Sequence, residues 1–195
     1  IINIFILGDI MKVTDLIEDF KDIGKVADEL LNKGQRLHPD DDNNFTRVTG
    51  RVFQRVLTKY ADRDKLRDHP KGMNDLSIYG VDEYLNMECY LGKNNTSGYA
   101  LTESKELVSV FSFMKSSGNA IVKDAIQNGA KHLDCFAYMN DDGSIYGKLY
   151  ELYSRHGFKI NTELSKGGQY PVDKGISIVD GAAEGEPNIV VYMIR

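Results

Sequence analysis

Two cysteines, Cys89 and Cys135, are too few for a disulfide framework or a cysteine-rich zinc site. The four histidines (His38, His69, His132 and His156) show neither HExxH nor HxxxH spacing, so no metal is expected. No apolar run reaches the roughly 20 residues of a membrane span. The apolar stretch Ile1–Leu7 lacks the basic flank and small-residue cleavage site of a secretory signal. These absences point to a cytoplasmic setting without membrane attachment. Positive charge is also short, with 24 Lys and Arg against 29 Asp and Glu and a net charge of −5. The densest basic cluster, Lys59 to Arg67, is broken by Asp62 and Asp64. A grip on nucleic-acid phosphates is therefore not expected.

What is present is a folding composition: 195 residues, 42% hydrophobic and 27% charged, enough for one domain with a full core. The first methionine is Met11. One set of codons for Leu7 to Met11 contains an AGGAG ribosome-binding sequence just upstream of a start codon. Residues 1–10 are thus expected to be a translated leader before a single domain at 11–195; the alternative is that Ile2–Leu7 forms a first strand.

Helical spacing of Leu16, Ile17, Phe20, Ile23, Ala27, Leu30 and Leu31 after the N-cap Thr14 predicts a helix over Thr14–Lys33. A polar loop at 38–44 and a second amphipathic helix over Phe45–Tyr60 follow. Tyr84–Leu91, Ser97–Thr102 and Glu106–Phe113 read as a three-stranded antiparallel meander. Then come a helix over Ala120–Asn128, a strand over His132–Met139 and a helix over Ser144–His156. Strands over Phe158–Thr162 and Ile189–Ile194 complete the order, separated by a surface loop over Gly167–Gly185. This order implies a mixed α/β (α+β) layer architecture with a crossover in the middle.

One stretch carries the chemistry. A strand ends near Phe113, a loop of small residues follows, and a helix opens near Asn119. Helix N-termini leave backbone N–H groups without intrahelical acceptors, at the positive end of the dipole, so an anion such as a pyrophosphate is welcome there. A serine–glycine turn of this kind can equally be only a turn. Elsewhere, Cys135 is simplest as a buried small residue, Asp134 as a solvent-facing or capping one, and His156 as a helix C-terminal residue suited to the dipole.

Lys115-Ser116-Ser117-Gly118-Asn119-Ala120 resembles the Arg/Gln-x-x-Gly-x-Gly/Ala pyrophosphate loop of the GNAT superfamily of acyl-CoA-dependent N-acetyltransferases, with Lys115 in place of Arg or Gln. Leu152-Tyr153-Ser154-Arg155-His156-Gly157-Phe158 is similar to that family's Leu-Tyr-x-x-x-Gly-Phe. Ser109-Val110-Phe111, Gly129-Ala130, Leu133-Asp134, Phe136 and Pro187 to Met193 further resemble GNAT-like domains of phage-encoded proteins, over roughly Tyr84–Arg195.

The resemblance implies a mostly antiparallel central sheet flanked by helices, splayed into a V between the fourth and fifth strands. It implies acetyl-CoA as co-substrate. Backbone groups of Phe111, Ser112 and Phe113 would meet its pantetheine arm, and Lys115, Ser116, Ser117, Gly118, Asn119 and Ala120 its pyrophosphate. Tyr153 takes the place of the general acid, and Glu106 and Glu88 are both candidates for a base. The acceptor would be an amine on a small molecule or a protein. Tyr146 and Leu149 depart from the family pattern, which usually has Asn and a small residue there. These departures keep a second expectation alive: a catalytically inactive, virion-associated or partner-binding phage protein.

Overall fold

The computed structural model describes residues 45–65, 78–112, 117–165 and 172–195. The leader, the helix expected over Thr14–Lys33, the polar loop, and Phe113, Lys115 and Ser116 lie outside the described residues.

The first sheet has four antiparallel strands in sequence order: β1 (Thr46–Val48), β2 (Glu88–Leu91), β3 (Ser97–Leu101) and β4 (Leu107–Ser112). The meander is therefore present, with one strand more than the sequence predicts. Thr46–Val48 was expected inside a helix. It instead pairs with Cys89–Leu91, and the helix α1 starts only at Gly50 and runs to Lys65. Contact with a waiting strand edge outweighs the helical spacing of a single valine, Val48. A Cβ on Gly50 would lie 2.3 Å from the carbonyl oxygen of Tyr84, so only glycine lets α1 enter this close to its neighbour. Tyr84 itself was expected to open a strand; it closes the short helix α2 (Val81–Tyr84), and the strand waits until Glu88.

Five strands form the second sheet, in the order β6–β5–β9–β7 with β8 also on β9. These are β5 (His132–Met139), β6 (Ile145–Tyr146), β7 (Lys159–Ile160), β8 (Ile176–Ile178) and β9 (Ile189–Ile194). Their ladders are antiparallel. Two expectations need correction here. The helix predicted from Ser144 begins at Lys148, because Ile145 and Tyr146 pair with Met139 and Tyr138 before Gly147, at φ 147°, turns the chain. The surface loop predicted over Gly167–Gly185 contains β8, in which Ser177 is fully buried against β9.

Helix α3 (Gly118–Gln127) connects the sheets, and α4 (Lys148–Arg155) packs beside it. Both end in the same device. Gly129 (φ 96°) and Gly157 (φ 89°) adopt left-handed conformations. The N–H of Gly157 donates to the Ser154 carbonyl (3.0 Å), and that of Phe158 to the Tyr153 carbonyl (3.2 Å). Gly129 and Ala130 make the matching pair of bonds to Ile126 (3.0 Å) and Ala125 (2.9 Å). This is the Schellman arrangement, which satisfies the last carbonyls of a helix.

Side chains divide by face. Tyr90, Tyr99, Leu101, Leu107, Leu133, Cys135 and Ala137 pack under α3 and α4 with Ile121, Val122, Ala125 and Tyr153. On the opposite face of the first sheet, Cys89, Leu91, Ala100, Val108 and Phe111 pack against Phe53, Val56 and Leu57 of α1 and Tyr84 of α2. The architecture is mixed α+β, with antiparallel sheets flanked by helices.

Candidate functional site

β4 and β5 run parallel, and among the described residues they meet at a single bridge, Glu106 with His132. There the N–H of Lys131 donates to the Lys105 carbonyl at 2.9 Å, and that of His132 to the same carbonyl at 3.4 Å. Beyond this point the two strands belong to separate sheets. The opening is thus a V, closed at Glu106 and widening toward Ser112.

The wall formed by β4 is bent within the opening. Gly98 pairs with Phe111, but Ala100 pairs with Val108, so Ser109 and Val110 together oppose Tyr99. Ser109 takes φ 51°, unusual for a residue with a side chain. Such a bulge breaks the ladder, swings backbone groups out of register and twists the strand away. A buried hydrogen bond, 2.7 Å between the hydroxyls of Ser109 and Tyr84, ties the bulge to α2. No sequence signal announced it, because the left-handed position is held by serine where glycine would have been the cue.

At the wide end, α3 begins. Ser117 precedes it, buried, and its hydroxyl bonds to that of Ser112 at the end of β4. The amides of Gly118, Asn119 and Ala120 have no intrahelical acceptor among the described residues, and this end carries the positive pole of the dipole. A Cβ on Gly118 would sit 2.9 Å from Cδ2 of Leu152, so the glycine lets α4 lie against the first turn of α3. His156 Nε2 lies 3.0 Å from Asn119 Oδ1 and holds the end of α4 to the start of α3. His156 caps the C-terminus of α4, as expected. Desolvation, then the cations of Lys123, Arg155 and Arg195, push its pKa below the usual histidine value and favour the neutral ring.

The phenol of Tyr153 is buried in the face of α4 turned to β5, its ring 6.1 Å from that of Phe158 in an edge-on arrangement. Its hydroxyl makes no hydrogen bond to another described residue. Burial, then the neighbouring Cys135 and Asp134, raise its pKa, so the phenol keeps its proton at neutral pH. Cys135 is buried, with its thiol pushed up to about 12 by desolvation, as befits a core residue. Tyr146 and Leu149 are both exposed on β6 and α4.

The two candidate bases project from opposite faces of the first sheet. Glu88 shares the α3 face with Tyr90, whose hydroxyl donates to it at 3.3 Å, and it pairs with Lys105 at 2.7 Å. The hydrogen bond from Lys105 is the main cause holding its carboxyl below the usual range. Glu106 is half-buried on the α1 face, where desolvation and then the charge of Asp134 raise its pKa, while His132 lowers it. Glu106, Phe111 and Ser112 thus lie along the β4 wall and Ser117, Gly118, Asn119 and Ala120 at the start of α3, while Tyr153 is buried beneath α4 and Glu88 is engaged elsewhere.

No protein-family model matches the chain, and no curated protein does. Among solved structures, it is similar to an acetyltransferase of GNAT family from Streptococcus pneumoniae. That likeness has 16% identity and a TM-score of 0.46, over 78% of this chain and 98% of the other. It is also similar to a Bacillus subtilis acetyltransferase in complex with CoA, at 19% identity and a TM-score of 0.32, over 58% of this chain and 79% of that one. At these values the likeness decides nothing about activity, which is argued below from the chain's own geometry.

Proposed function

We propose that this chain is an acyl-CoA-dependent N-acyltransferase of GNAT type, moving an acetyl group directly to an amine. The observation that carries this reading is the V itself. Two parallel strands touch at Glu106 and His132 and then part, with a bulge on one wall and a helix N-terminus at the open end. An extended, amide-bearing arm fits an opening between β4 and the part of β5 before Tyr138, where β6 joins it, because strand backbone offers both donors and acceptors. A diphosphate fits the first turn of α3.

Acetyl-CoA supplies an activated thioester carbonyl. β4 would hold the arm through backbone groups of Phe111 and Ser112, and Ser117 to Ala120 would hold the diphosphate. A backbone N–H on this bulged wall, such as that of Val110, would suit a developing oxyanion, since it is fixed before reaction and needs no reorganisation. In the transfer, the amine nitrogen bonds to the carbonyl carbon and the carbon–sulfur bond breaks. Tyr153 gives its proton to the leaving sulfur, a task suited to a phenol kept neutral by burial. Glu106 takes the proton that frees the amine from its ammonium form, and the proton that the nitrogen sheds on bonding restores the Tyr153 phenol.

Thermal denaturation with acetyl-CoA tests the reading. A ligand at 100 times its dissociation constant adds about 2.7 kcal/mol to a state that alone binds it. The expected result is a clear rise in Tm for the wild type and none for Asn119→Glu. That variant sets a carboxylate beside the diphosphate, while by itself favouring the helix N-terminus. No rise at millimolar acetyl-CoA overturns the reading and returns the chain to a partner-binding role.

A further inference from the structure

On the α1 face of the V, opposite Tyr153, lies a group of polar side chains from three separate segments. Glu106 stands at the foot of β4. His132, its partner across the bridge, begins β5, and Asp134, two residues on, shares the face of His132 by the period of the strand. Leu133 and Cys135, on the other face, pack under α3 and α4. Tyr79, just before α2, completes the group. Its ring meets that of Tyr84 edge-on at 5.8 Å, and desolvation first, then Asp134 and Glu106, raise the pKa of its hydroxyl. Asp134 itself is exposed to solvent.

We infer that Asp134 is a positioning residue for Glu106: the two carboxyl groups share one face where the sheets meet, so that Glu106 accepts the proton of an amine arriving as an ammonium ion. The role in transfer rests on the acyltransferase reading; the pairing of the carboxyls does not. Two carboxylates on one face repel, and each makes the other hold a proton more strongly. At Glu106 the direction agrees, since desolvation first and then Asp134 raise it; at Asp134 the rise comes from desolvation. His132 opposes this at Glu106, and Tyr79, Tyr84 and Glu83 border the group from the side of α2. A raised carboxyl is a stronger base once ionised, and a doubly anionic floor attracts a cationic acceptor. R–NH3+ sheds two protons in becoming the amide: the first passes to the Glu106 carboxylate and from there to solvent, and the second, lost from nitrogen as the carbon–sulfur bond breaks, replaces the proton that Tyr153 gives to sulfur.

The test uses the full chain with carboxyl-13C glutamate and aspartate, titrated by NMR as wild type, Asp134→Asn and Asp134→Glu. Glu106 is expected to titrate above the ordinary glutamate range, to fall toward it in Asp134→Asn, and to recover in Asp134→Glu. With n-butylamine and Nα-acetyl-lysine as acceptors, the acid limb of kcat/KM is expected to move to lower pH in Asp134→Asn. A merely structural aspartate would leave that limb in place. An unchanged Glu106 titration in Asp134→Asn overturns the pairing. A shifted titration with no acetyl-CoA binding keeps the pairing and overturns its catalytic role together with the acyltransferase reading.

Discussion

The hydroxyls of Tyr84 and Ser109 lie 2.7 Å apart in the core, linking the last residue of α2 to the bulge that opens β4. Tyr84 also accepts a hydrogen bond from the N–H of Tyr79 at 3.3 Å, so one phenol anchors both the bulge and the segment carrying Tyr79. Tyr84→Phe is expected to lose about 1–2 kcal/mol of stability, the worth of buried hydrogen bonds, which lowers Tm by roughly 2–6 °C. A slackened bulge should also raise KM for acetyl-CoA. An unchanged melting curve would show that the bulge is held by packing alone.

Tyr153→Phe separates chemistry from structure. The hydroxyl has no hydrogen-bond partner among the described residues, so its removal should leave Tm unchanged or slightly raised. Turnover should fall about 100-fold or more, the usual cost of losing a general acid. Full turnover in a correctly folded variant would take Tyr153 out of the reaction.

Gly157→Ala tests the end of α4. An added Cβ would meet only Arg195 Nε, at 3.6 Å, so the cost is conformational, arising from φ 89°. A loss of about 1–2 kcal/mol is expected, read from denaturant midpoints.

Thiol chemistry offers a pH-based check. Burial pushes both Cys89 and Cys135 up to about 12, which leaves only about one thiolate in ten thousand at pH 8. Neither should react with Ellman's reagent in the folded protein at pH 8, and both should react at once in guanidinium. Reaction of either thiol on mixing with native protein would contradict this packing.

Stability should also depend on Glu106. Its folded pKa lies above its unfolded one, so its contribution is fully favourable below the unfolded pKa and is lost as pH rises through the folded pKa. Glu106→Gln is therefore expected to melt above the wild type at pH 7 and level with it at pH 4. A wild type that is the more stable of the two at pH 7 would reverse the sign.

Legibility in the sequence followed the range of the forces involved. β3, β4, β5 and β9 could be read because each has enough apolar residues in a row to declare itself. The ends of α3 and α4 were visible in Gly129 and Gly157, since a left-handed cap has few chemical solutions. β1, β6 and β8 were hidden: with three residues or fewer, each exists only because a partner edge awaits it. The choice between Glu88 and Glu106 was equally invisible. It turns on which face of the sheet each occupies, and that parity is set by pairing with strands distant in sequence. Asp134 faces solvent, as expected, and the face it shares with Glu106 is set by the bridge between Glu106 and His132, which links strands distant in sequence.

A sheet split in two would ordinarily expose a pair of adhesive borders to every passing chain. Here β4 and the first part of β5 confront each other across a gap anchored at one end, and β6 covers the rest of the β5 border. Among the described residues, strand backbone that could recruit a foreign chain is thereby turned toward its own neighbour.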